Sequence, residues 1–124
     1  MAADRITILC VDDEEIPRTL RALILRKQGY QVLTAASGTE ALSLLDQNSV
    51  SLVLTDQMMP VMSGTELTKR VKAIRPRLPV ILISGMNEIP ADASCADRFV
   101  SKVEGPDVLF NAIHEVLEEA RQRN

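Results

Sequence analysis

Five short apolar runs, each followed by an amphipathic stretch, leave few folds open to this chain. The runs are Ile6 to Val11, the weaker Gln31 to Ala35, Leu52 to Thr55, Val80 to Ile83, and Arg98 to Ser101. Four of them close on chemically capable residues: Asp12-Asp13, Asp56, Ser84 and Lys102. Runs this short, bounded by turn residues, suit strands buried on both faces. Between them, Ile16, Leu20, Leu23, Ile24 and Lys27 recur at helical spacing until Gly29 stops the pattern. Pro17 falls in the first turn of that helix, where a missing N–H is harmless. Ala41, Leu42 and Leu45 mark a second helix, and Leu67, Val71 and Ile74 a third that must end before Pro76. Val108, Leu109, Ala112, Ile113, Val116, Leu117 and Ala120 mark a long last helix, with Glu118 to Asn124 as a fraying polar end.

Strict alternation of strand and helix predicts an α/β fold, a parallel sheet with helices on both faces and right-handed crossovers. The doubly wound strand orders then available include 2-1-3-4-5, whose switch point lies between the first and third strands. The 124 residues fit one domain, 1–124, with a core of about residues 5–120.

Composition excludes several classes. The net charge of −3, scattered basic residues and only three aromatics (Tyr30, Phe99 and Phe110) argue against a nucleic-acid surface. Met1 leads into Ala2, Ala3, Asp4 and Arg5 rather than a signal peptide, and no run approaches a membrane span. Cys10 and Cys95 do not make a disulfide framework, which points to a reducing, cytoplasmic setting. Cys10 reads as a small buried hydrophobe. His114 reads as a structural or surface residue of the last helix.

In the 2-1-3-4-5 order, Asp12, Asp13, Asp56, Ser84 and Lys102 converge on one edge of the sheet. Carboxylates meeting in one pocket repel one another, and a divalent cation relieves that. Oxygen donors without His or Cys point to Mg2+ rather than zinc. Such a site is built for phosphoryl transfer, with Asp56 as the carboxylate nucleophile and Lys102 and Ser84 reaching phosphoryl oxygens. Backbone N–H groups near Met58 and Gly85 would complete the cradle. Glu14 and Glu15 read as first-turn acids that favour the helix dipole.

The ordered set Val11-Asp12-Asp13-Glu14, Asp56-Gln57-Met58-Met59-Pro60 with Gly64, Ser84-Gly85 and Ser101-Lys102 resembles the response-regulator receiver domain of two-component signalling. The resemblance covers essentially the whole chain. It implies a flavodoxin-like, five-stranded parallel sheet in the CheY-like superfamily. It implies that Asp56 is the phosphoacceptor and Asp13 a direct metal ligand. Asp12 would order a water on that metal, and Met58 would offer its backbone carbonyl. Ser84 would be the switch hydroxyl, Lys102 the phosphate-binding lysine, and Phe99 the aromatic that rotates between states. It also implies Mg2+ as cofactor, a histidine kinase or histidine phosphotransfer protein as donor, and a downstream protein effector. The chain would act on itself, through self-phosphorylation and self-dephosphorylation, rather than as an enzyme with an external substrate.

Two departures stand out. The family usually carries a cis-linked Pro after the lysine, whereas this chain has Val103, so the bond is either trans in a rearranged loop or strained. Ser84 and Lys102 also lie closer together in sequence than usual. That predicts a shortened or irregular fourth helix in the region of Asn87 to Ser94, on the face through which relatives dimerise or dock partners. These departures keep a second reading open, a degenerate receiver used as a phosphorylation-independent interaction module. A magnesium phosphohydrolase is opposed by Met58, since such enzymes usually carry an acid two residues after the nucleophile.

Overall fold

The computed structural model describes residues 5–85 and 95–122. Strands β1 (Thr7–Val11), β2 (Gln31–Ala35), β3 (Leu52–Asp56), β4 (Val80–Ser84) and β5 (Arg98–Ser101) alternate with helices α1 (Glu15–Lys27), α2 (Gly38–Gln47) and α3 (Gly64–Ile74), and α4 (Pro106–Gln122) follows β5. All pairings are parallel, and the sheet order is β2-β1-β3-β4-β5. The expected α/β architecture and the 2-1-3-4-5 order are both present. The expected short fourth helix at 87–94 lies outside the described residues, so α4 here is the long last helix. That helix continues to Gln122, through most of the stretch read as a fraying end.

Each apolar run is continuous because successive side chains point to opposite faces and both faces are covered. Ile8, Cys10, Leu54, Ile81, Ile83 and Val100 pack with Ala22 and Leu25 of α1 and with Leu109, Ala112, Ile113 and Val116 of α4. Leu9, Val11, Ala35, Val53 and Val80 face the other way, onto Ala41 and Leu45 of α2 and Leu67 and Val71 of α3. The face of α1 differs from the sequence expectation. Its buried residues are Ala22 and Leu25, while Ile16, Leu20 and Leu23 of the expected stripe are exposed.

Local signals end and start the helices. Gly29 adopts a φ of 98°, and the Gly29 and Tyr30 N–H groups donate back to the Arg26 and Leu25 carbonyls, closing α1. Ser37 and Ser63 are N-caps whose Oγ atoms accept from the N–H groups of Glu40 and Glu66, each at 3.1 Å.

The loop from β3 to α3 is the least relaxed part of the described backbone. Val61 has a φ of 71°, and the Met62 N–H donates to the Pro60 carbonyl at 2.7 Å across it. That pairing and that φ make a γ-turn of the strained hand, centred on a β-branched residue. At the far end of the loop, Gly64 is pressed against strand backbone. A Cβ there would lie 2.4 Å from the Asp56 carbonyl oxygen and 2.6 Å from Leu82 Cδ2.

These two positions predict opposite outcomes in urea denaturation. Gly64→Ala is expected to lose about 2 kcal/mol or more, because the methyl meets backbone that cannot step aside. Val61→Asn is expected to gain about 1 kcal/mol, since Asn tolerates the left-handed region and the fully exposed valine gives up no packing. A destabilised Val61→Asn would mean that the turn is held without strain.

Candidate functional site

The carboxyl ends of β1 and β3 are adjacent because those strands pair directly, Val11 opposite Thr55. The next residues out are therefore neighbours. Asp12 and Asp56 are buried and Asp13 is exposed, and one carboxylate oxygen of each lies within 4.8 Å of the others. Among the described residues this is the one cluster of acids, His or Cys able to hold a metal ion. Glu14 and Glu15 stay outside it, at the exposed start of α1.

Cations partly compensate the acids. Lys102, just beyond β5, brings Nζ to 2.9 Å from Asp56 Oδ1. Its backbone N–H donates to the Ser84 carbonyl at 2.8 Å, which continues the β4–β5 pairing past Ser84 and Ser101. Two arginines that the sequence did not single out complete the surround. Arg18 Nη1 donates to the Asp12 carbonyl at 2.8 Å, and Arg21 Nη1 reaches Asp12 Oδ2 at 3.1 Å. Their spacing on α1, three residues apart and so on one face, was the available signal. Asp12 Oδ1 also accepts from the Glu14 N–H at 2.9 Å, so this acid steadies the helix start as well as lining the pocket.

Asp56 Oδ1 is the unusual atom. It is sealed from solvent, with the Lys102 ammonium 2.9 Å away. Burial pushes the Asp56 carboxyl above its ordinary range, with Lys102 pulling the other way; Asp12 adds to the rise and Arg21 opposes it. Burial likewise pushes the Cys10 thiol up, which leaves it inert beneath the site.

Ser84 ends β4 and is buried. Phe99 is half-buried on β5, on the opposite face from Val100. The Met58 side chain is exposed. His114 is exposed on α4. The Lys102–Val103 bond is trans. In place of a fixed proline, the Glu104 N–H donates to the Ser101 carbonyl, the Ser101 N–H donates to Glu104 Oε1, and the Val103 N–H donates to Ser101 Oγ. The loop is rearranged into a self-bonded turn that still delivers the ammonium to Asp56.

Sequence reasoning also passed over Gln57. Its buried Oε1 accepts from the Thr65 N–H at 2.9 Å and from Thr65 Oγ1 at 2.7 Å, closing the β3–α3 loop at its base. A buried polar pair beside an acidic strand end was the signal, and it is invisible until β3 and α3 are placed together.

The raised carboxyl fixes the sign of a pH effect. Folded Asp56 holds its proton to higher pH than the unfolded chain does. Stability therefore falls as pH rises from the ordinary carboxylate value through the raised one. In chelator-treated buffer, Asp56→Asn is expected to raise the urea midpoint at neutral pH. The gain should vanish below the ordinary carboxylate range; an equal gain at both pH values would exclude the buried charge as its source.

Comparison with known proteins agrees with this geometry. The model of the response regulator receiver domain matches residues 8–114. The transcriptional regulatory protein GlrR of Escherichia coli is 36% identical over 118 residues, covering 91% of this chain and 26% of that protein. The autoinducer 1 sensor kinase/phosphatase LuxN of Vibrio campbellii is 38% identical over 111 residues, covering 90% of this chain and 13% of that protein. This chain thus spans about a quarter or less of these relatives. Among solved structures, the response regulator protein TrrA of Thermotoga maritima in complex with Mg2+-BeF has a TM-score of 0.85 and 29% identity, over 90% of this chain and 98% of that one. With the acids, the lysine and the strand order in agreement with a match over most of its length, the chain belongs to the receiver-domain family of two-component response regulators.

Proposed function

We propose that this chain is a phosphorylation-switched receiver in which Asp56 takes a phosphoryl group from the phosphohistidine of a histidine kinase or phosphotransfer protein. The observation that carries the reading is Asp56, a buried carboxylate whose Oδ1 faces an ammonium 2.9 Å away and which shares its strand edge with two further acids. Carboxylates crowded at one buried strand edge are costly as structure and useful as a reacting site. In the transfer, the Asp56 oxygen forms a bond to phosphorus as the phosphorus–nitrogen bond to histidine breaks, and the imidazole leaves. Lys102 stabilises charge on the phosphoryl oxygens, and the buried Ser84 hydroxyl supplies a hydrogen bond to one of them.

The site fits Mg2+ on the same ground. Its donors are all hard oxygens, and Lys102 and Arg21 leave part of the charge of three acids uncompensated. Asp13, Asp56 and the Met58 carbonyl would hold the ion directly, with Asp12 behind them. When bound, it would neutralise negative charge on the incoming group. The TrrA structure, a complex with Mg2+-BeF, supports this choice.

The surroundings favour a protein donor. Ile16 (73% exposed), Leu20, Met58, Val61 (100%) and Val103 (70%) stand along the sheet edge that carries the acids. An apolar rim around a charged pocket suits docking of another protein's surface. Output would follow from Ser84 and Phe99, as phosphorylation draws the hydroxyl inward and repositions β5 and the helix beside it. The alternative of a degenerate interaction module rested on Val103 and on the short fourth segment; the bond after Lys102 is trans with Lys102 still on Asp56, and the segment lies outside the described residues.

Intact-mass measurement after incubation with acetyl phosphate and Mg2+ tests the reading. An adduct of about 80 Da is expected, the mass of one phosphoryl group. It should be absent in Asp56→Asn and after chelation, and should form about a hundredfold more slowly in Lys102→Ala. An adduct that persists in Asp56→Asn would refute Asp56 as the acceptor.

A further inference from the structure

We propose that Gln57 and Thr65 form a positioning clamp that aims the backbone of Met58 at the metal position, an inference that rests on the receiver reading above. Gln57 follows the phosphoacceptor and precedes the residue whose carbonyl would hold the ion. Its backbone and its side-chain oxygen bond to described residues around the loop base. Its N–H donates to the Ile83 carbonyl at 2.9 Å, its carbonyl accepts from the Gly64 N–H at 3.0 Å, and its Oε1 takes both Thr65 donors. The side chain is 7% exposed and Thr65 5%, so neither donor nor acceptor can fall back on water.

The clamp explains a second observation. The seven residues between Gln57 and Thr65 hold the fully exposed Val61 in a strained γ-turn. A strained conformation persists only where its surroundings over-determine it. Nothing packs on Val61 itself, so the constraint comes from its buried neighbour Met62 and from the loop's ends. At one end Gly64 sits against the Asp56 carbonyl, closer than any Cβ permits. There the Gln57–Thr65 pair fixes the distance that the loop must span. With both ends fixed and Met59 and Met62 packed on the core between them, the clamp restricts the peptide after Gln57, and the Met58 carbonyl is set before any ion arrives. Partners one layer behind a metal ligand commonly change affinity by ten- to a hundredfold when removed.

The test compares wild type, Gln57→Leu, Thr65→Val and Thr65→Ser in the full chain. The readouts are Mg2+ affinity by calorimetry, amide hydrogen exchange of residues 58–63 without metal, and thermal midpoint. Gln57→Leu is expected to weaken Mg2+ binding about tenfold and to speed exchange across the loop. Thr65→Val, which keeps the backbone donor, should show a smaller change of the same sign. Thr65→Ser, which keeps both donors, should match wild type. A merely structural pair would lower the thermal midpoint while leaving affinity and loop exchange unchanged at temperatures where the protein is folded. That result in Gln57→Leu and Thr65→Val overturns the clamp. If Gln57→Leu does not fold, Thr65→Val against Thr65→Ser decides alone. Absence of Mg2+ binding in wild type would overturn the site reading itself, whereas wild-type binding with unaffected variants overturns only the clamp.

Discussion

The structure is organised around one buried charge. Asp56 sits at the end of the central strand, sealed from water, with its carboxyl held above the ordinary range by that burial. A carboxylate in such a place needs compensation, and the fold brings it from two other elements. The β5 end supplies the Lys102 ammonium, and α1 supplies Arg21 through Asp12. Losing Lys102 would leave the sealed carboxylate uncompensated, whereas losing the Asp56 charge leaves an ammonium that water can reach. The positions of β5 and α1 are therefore tied to the same few atoms that carry the chemistry.

The Lys102 loop shows how a local constraint can be met by different means. A proline would fix the backbone after the lysine by covalent restriction. Here Val103 follows it in a trans peptide, and side chains do the fixing: Glu104 accepts from Ser101, and Ser101 accepts from Val103. The Lys102 N–H then extends the β4–β5 ladder by one bond beyond Ser84. What the site requires is an ammonium within reach of Asp56, and the turn satisfies that requirement with exchangeable hydrogen bonds.

Helix α1 serves two surfaces, which is why its sequence misleads. Ile16, Leu20 and Leu23 recur with core-like spacing, yet the core takes Ala22 and Leu25, with Arg18 and Arg21 turned toward Asp12. Periodicity reports that a helix has an apolar face, and it does not say whether that face meets the sheet or another molecule. Here the exposed face borders the acidic pocket. Exposed apolar residues of α1 thus stand beside the charged centre instead of joining the core.

The sequence by itself determined the strands, the helices and the family. Apolar runs of four to six residues can be buried only as strands covered on both faces, and their polar endings then fall on one edge. Asp12, Asp56, Ser84 and Lys102 were legible for that reason, because each directly follows a recognisable run, with Asp13 one residue further on. The tertiary structure alone decided which face of α1 is buried, that Arg18 and Arg21 hold Asp12, that the Lys102 loop closes on Glu104, and that Gln57 clasps Thr65. Each of these depends on side chains from separate elements meeting at hydrogen-bond distance. Strand and helix periods carry information along one element at a time, and they are silent about such meetings.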